Sequence, residues 1–82
     1  MGETTKERIK RIIATTFGVP VAQVPDNAAA GEFPLWTSLG HLDLMMAMEL
    51  EFGVQIPSDK MIELLSLNAL DRFLQNLELN KS

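Results

Sequence analysis

The sequence contains no cysteine, which excludes disulfides, thiolate zinc sites and cysteine nucleophiles together. It contains one histidine, too few for a transition-metal site built by the protein alone. Positive charge is scarce as well. Seven Lys and Arg stand against eleven Asp and Glu, giving a net charge of −4. An acidic surface repels nucleic acid and anionic membrane, so neither is an expected partner, and basic protein surfaces are favoured instead. No apolar run approaches the roughly 20 residues needed to span a bilayer. The stretch "MGETTKERIKR" is too polar for a secretory signal. Lys6 stands where a myristoylation signal wants Ser or Thr, so no lipid is expected on Gly2. These absences point to a cytoplasmic monomer. The 82 residues allow one domain, 1–82, with a core over about 4–78 held together by packing alone.

What is present is helical. In "TTKERIKRIIATTF", Ile9, Ile12, Ile13 and Phe17 form one apolar stripe. Thr4 with Glu7 reads as a capping box, and Gly18 with Pro20 marks the stop. The cluster Lys6, Arg8, Lys10 and Arg11 reads as a solvated helix face. Residues 18–37 carry three prolines and two glycines without a sustained period, and form a long loop that delivers the chain to Ser38. Residues 38–52 read as a second helix ended by Gly53. Ile56-Pro57 makes a bend, and "SDKMIELL" opens a short third helix with Ser58 or Asp59 as its cap. Ser66 caps a last helix striped by Leu67, Leu70, Phe73 or Leu74, and Leu77, with a tail from Glu78 expected to fray. No strand alternation is visible. The expected fold is all-α: a bundle of four helices, three longer and one short.

The second helix has more apolar surface than one core can take. Leu44, Met45, Met48 and Phe52 fall on one side; Leu39, Leu42, Met46 and Leu50 fall on another. Either the loop covers the second stripe, or that stripe is exposed and marks an interaction surface. We expect exposure, because Gly40 and His41 beside Leu39 and Leu42 suggest open surface, with His41 solvated in the first turn.

Ser38 stands at the mouth of this helix, where unpaired N–H groups and the positive end of the dipole favour an anion. It has three possible uses. As an N-cap it competes with Thr37. As a nucleophile it needs a base; His41 is the one candidate, and the G-x-S-x-G elbow of hydrolases is absent. As an acceptor it would hold a phosphodiester over the helix N–H groups.

The run "TSLGHLDLMMAMELEFGVQIP" resembles the phosphopantetheine attachment region of acyl carrier proteins, including the discrete carriers of polyketide and peptide assembly. That family reads Asp-Ser-Leu, an amphipathic helix, Glu-Glu-Phe and then Ile-Pro. Ser38-Leu39, Glu51-Phe52 and Ile56-Pro57 match in order. "WTSLGHL" further resembles carriers of specialised, secondary-metabolite pathways. The departure is Thr37, which keeps capping ability where the family has Asp but loses its charge. Gly40, Leu50 and Ser58 also stand where acidic residues are common in fatty-acid carriers, which points to a specialised partner set.

The resemblance implies a carrier with no catalytic residues of its own. A phosphopantetheinyl transferase, with its own magnesium, would move 4'-phosphopantetheine from coenzyme A onto Ser38. The arm would hold an acyl or aminoacyl group as a thioester, beside Thr37, Leu39 and Trp36. A loading ligase and downstream synthase or transferase enzymes would dock in turn on Leu39, Leu42 and Met46, steered by Asp43, Glu49 and Asp59. Trp36 either packs near the arm or pins the loop to the core. Met45, Met48 and Met61 could yield to a long chain, whereas small or polar cargo needs no cavity. The rival reading keeps the carrier fold but leaves Ser38 unmodified, as a non-covalent helical adaptor. A DNA-binding module is disfavoured by the acidic balance.

Overall fold

The computed structural model describes residues 3–81. Gly2, and with it the expectation about lipidation, lies outside those residues, as does Ser82. Among the described residues four α-helices follow in chain order: α1 (Thr5–Phe17), α2 (Ser38–Phe52), α3 (Ser58–Met61) and α4 (Leu67–Lys81). A single 3-10 turn, Val21–Gln23, lies in the loop after α1. This is the all-helical bundle the sequence predicts.

The capping box is formed. Glu7 N–H donates to Thr4 Oγ1 and Thr4 N–H to Glu7 Oε1, both at 3.1 Å. The Thr4 N–H bond holds the Glu7 carboxyl below its usual pKa. Gly18 and Gly53 end α1 and α2 in the left-handed region, at φ 67° and 63°, which a side chain would resist. Ile9, Ile13 and Phe17 of α1 pack with Leu44, Met45 and Met48 of α2 and Leu67, Leu70 and Leu74 of α4. Each fully buried Leu, Ile or Met contributes roughly 1.5–3 kcal/mol.

Arg8 clasps α1 to the end of α2. Its guanidinium reaches Glu51 Oε2 at 3.0 Å and lies 4.3 Å from the centre of the Phe52 ring. Lys10 pairs with Asp26, whose carboxyl is held below its usual pKa by that bond, and Arg11 pairs with Glu3. Arg8, Lys10 and Arg11 of the basic face of α1 are therefore matched by acids of the same chain. Such exposed pairs add little stability, about 0–1 kcal/mol each.

The structure corrects one local expectation, the cap of the short third helix. The third helix stops at Met61, and neither Ser58 nor Asp59 caps it: Pro57 holds the N-cap position with no side-chain bond. Past Met61 the chain turns, with the Glu63 and Leu64 amides still donating to the Lys60 carbonyl, and then pairs with the long loop. Ala30 N–H donates to Leu65 O at 2.8 Å and Leu67 N–H to Ala28 O at 2.7 Å, an isolated antiparallel bridge. At the other end, α4 runs over Leu67–Lys81; "ELNK" contains strong helix formers and neither Gly nor Pro.

Candidate functional site

Thr37 takes the cap of α2. Its Oγ1 accepts from Gly40 N–H at 3.3 Å and its carbonyl from His41 N–H at 2.8 Å. Ser38 is thereby the first helical residue and is exposed. Among the described residues no hydrogen bond engages the amides of Ser38 or Leu39, so both remain for an anion at the positive helix end. Thr37 lacks the charge an aspartate would bring but caps the helix through its hydroxyl.

The second apolar stripe of α2 is exposed. Leu39 is 77% accessible, Leu42 49%, Met46 58% and Leu50 85%, while Leu44, Met45 and Met48 on the opposite side are at 0%. Asp43, within the same helix, and Asp59, on α3, are both exposed. Glu49 is not left for a partner in the same way. Half-buried, its Oε2 accepts from Ile56 N–H at 2.8 Å and so fixes the exit from α2.

His41 is the principal correction. It is not solvated but buried at 7%. Its Nδ1 lies 3.0 Å from Trp36 Nε1, and its Nε2 lies 3.0 Å from the carbonyl oxygen of Met61. An indole N–H can only donate, so Nδ1 accepts and the proton sits on Nε2, which donates to Met61. The physical reason for burial is register: 41, 44, 45 and 48 form one i, i+3, i+4, i+7 stripe, so the inward face of α2 begins one turn before Leu44. With both ring nitrogens engaged, the single histidine offers Ser38 no base, and a hydrolytic reading of Ser38 has no support.

Trp36 pins the loop. It is 2% accessible and stacks on Phe17 at 5.1 Å and on Phe33 at 6.5 Å between ring centres. It also lines the groove beside Ser38. An open groove of about 650 Å³ runs beside the serine, with Leu42, Ile62 and Leu65 on its sides and Trp36 and His41 at its base. Both readings of Trp36 thus have a physical counterpart.

Gly40, which the sequence reads as a sign of open surface, instead lies half-buried beneath the loop. A Cβ there would stand 2.0 Å from the Leu35 carbonyl oxygen, because the loop before Ser38 crosses directly over the first turn of α2. The available signal was a glycine inside a helical run, which costs about 1 kcal/mol and calls for a packing reason.

No helix among the described residues is long and apolar enough to cross a membrane. No family model matches the chain. Curated relatives do match. An acyl carrier protein of Bradyrhizobium sp. (strain ORS 278) is 36% identical over 69 residues, covering 84% of this chain and 87% of that protein. An acyl carrier protein of Nitrobacter hamburgensis matches to the same extent. One from Zymomonas mobilis is 44% identical over 55 residues, covering 67% of this chain and 70% of its own length.

Proposed function

The chain belongs to the acyl carrier protein family, a family of carriers rather than catalysts, and on that premise we propose that Ser38 is the attachment point of a 4'-phosphopantetheine arm. The observation that carries this is the exposed Ser38 hydroxyl on the first turn of α2, relieved of capping by Thr37. The residues present fit the group. The Ser38 and Leu39 amides stand where a phosphodiester would sit, each such contact being worth on the order of 0.3–1 kcal/mol, and the open groove beside them has room for an extended arm. When bound, the arm supplies a thiol that carries the acyl or aminoacyl group as a thioester.

The chain's own residues then have three tasks. Ser38 holds the arm. The Thr37 cap and the Trp36 anchor keep the serine at a fixed height above the helix. Leu39, Leu42 and Met46 form the landing surface for the phosphopantetheinyl transferase, the loading ligase and the downstream enzymes, with Asp43 and Asp59 steering basic partner surfaces.

Incubation with coenzyme A and a promiscuous phosphopantetheinyl transferase, read by intact-protein mass spectrometry, tests the assignment. A mass gain of one phosphopantetheine, lost in Ser38→Ala, is expected. An unmodified wild type, or a gain that survives Ser38→Ala, supports the adaptor reading instead.

The landing surface has its own test. Met46→Glu places a charge on exposed apolar surface, so folding stability should change by no more than about 0.5 kcal/mol. The loading rate should fall roughly tenfold, the effect of losing one interface anchor. Thermal melting alongside loading kinetics measures both; marked unfolding of the variant would show the stripe to be needed for the core.

A further inference from the structure

The groove beside Ser38 is open to solvent at its sides and closed at its base. Leu42, Ile62 and Leu65 on its rim are exposed, whereas Trp36 and His41 at the base are buried. Resting on the carrier reading above, we propose that the Trp36–His41–Met61 bridge bars cargo from the interior of this bundle, so that the chain serves short acyl or aminoacyl groups held in the open groove and not long chains drawn into the core.

Three observations combine. First, His41 occupies the innermost position of α2 nearest Ser38, directly ahead of Leu44, Met45 and Met48, all at 0% accessibility. A chain entering from the serine toward those residues must displace the imidazole or the indole. Second, neither ring moves alone. Trp36 is stacked on Phe17 and Phe33, and the imidazole is held at both nitrogens, to the Trp36 N–H and the Met61 carbonyl. Displacing His41 strands both of those groups and the imidazole itself in apolar surroundings. The pliable methionines at 45 and 48 lie behind this bridge, so their adaptability is not accessible from the groove. Third, the Met61 bond ties α2 to the end of α3, and the Ala30 and Leu67 amide bonds tie the residues after α3 to the loop. The far wall of the groove is thus held from two sides. An open groove shelters a short group, whereas most of a long apolar chain would stay in water.

The absence of cysteine gives a test independent of enzymatic loading. Ser38→Cys creates a sole thiol at an exposed site, to which maleimide-linked arm mimics ending in acetyl or octanoyl amide can be attached. By methyl NMR, the octanoyl conjugate should shift Leu42, Ile62 and Leu65 and leave Leu44, Met45 and Met48 unmoved. Its Tm should match that of the acetyl conjugate within about 1 °C. With the floor opened by His41→Ala in the same background, octanoyl should raise Tm over acetyl by about 5 °C or more, as its methylenes become buried. Perturbation of Leu44 and Met48 by octanoyl with His41 in place overturns the proposal, as does a folded His41→Ala conjugate with no chain-length effect. If His41→Ala does not fold, the NMR comparison alone decides. Since the conjugation is chemical, failure of the wild type to gain mass from coenzyme A counts against the carrier reading alone.

Discussion

Replacing Trp36 with alanine should cost about 3–5 kcal/mol of folding stability, a large share of the about 5–15 kcal/mol available to a domain. Two losses coincide at this residue. The indole is buried to 2% and stacked between Phe17 and Phe33, and an 82-residue chain has little spare core with which to fill the void. The second loss is the N–H donated to His41 Nδ1 at 3.0 Å, which leaves a buried acceptor unpaired. Trp36→Phe separates them. It keeps most of the stack and removes only the donor, so it should cost about 1–3 kcal/mol. Urea unfolding followed by far-ultraviolet circular dichroism measures both variants. Trp36 is also the chain's one tryptophan, so wild-type emission should be that of a buried indole and shift to the red through the same transition. If Trp36→Ala unfolds at the wild-type midpoint, the loop is not anchored through this ring, and the fixed height of Ser38 above the helix loses its physical basis.

The parts of the fold legible in the sequence were those written in local chemistry. The Thr4–Glu7 box, the stops at Gly18 and Gly53, the stripes of α1 and α4, and the start of α2 at Ser38 each depend on residues within a few positions of one another, and each is present in the structure. The exposed stripe of Leu39, Leu42, Met46 and Leu50 was legible for another reason. Two apolar faces on one short helix exceed what a small bundle can bury, and excess apolar surface must face outward. What failed depended on partners distant in sequence. The pairing of the residues after α3 with the loop backbone at Ala28 and Ala30 spans more than thirty residues and has no periodicity to announce it. Glu49 looks like any acidic surface residue until Gly53 turns the chain and brings the Ile56 amide back to its carboxylate. The burial of His41 is readable from register, whereas its neighbours Gly40, Leu39 and Leu42 point to open surface. A buried histidine is acceptable once a donor and an acceptor meet its two nitrogens, and here those come from Trp36 and the Met61 carbonyl.

Gly40→Ala should be the most disruptive single-methyl change near Ser38, costing about 1–3 kcal/mol and lowering Tm by roughly 4–20 °C for a domain of this size. On an ordinary helix surface the same substitution stabilises, because alanine has the higher helix propensity by about 1 kcal/mol. The sign is reversed here by a backbone contact. The added Cβ would lie 2.0 Å from the Leu35 oxygen and 3.1 Å from a Phe17 ring carbon, and a carbonyl cannot rotate out of the way as a side chain would. The loop before Ser38 has to lift. Lifting it strains the Trp36 N–H to Phe33 carbonyl turn at 2.9 Å and the Thr37 cap on the Gly40 amide at 3.3 Å. The stability loss should therefore be accompanied by slower loading of Ser38, since the cap and the anchor that place the hydroxyl are disturbed together. Leu39→Ala, next to it on the exposed stripe, supplies the contrast: Tm should hold within a few degrees while loading slows through loss of partner contact. A melting series over the two variants, with loading rates taken well below each Tm, distinguishes the two causes. A Gly40→Ala protein as stable as wild type would mean that the loop does not cross α2 at that distance. The serine would then be presented by the helix alone, with no contribution from the loop packed over its first turn.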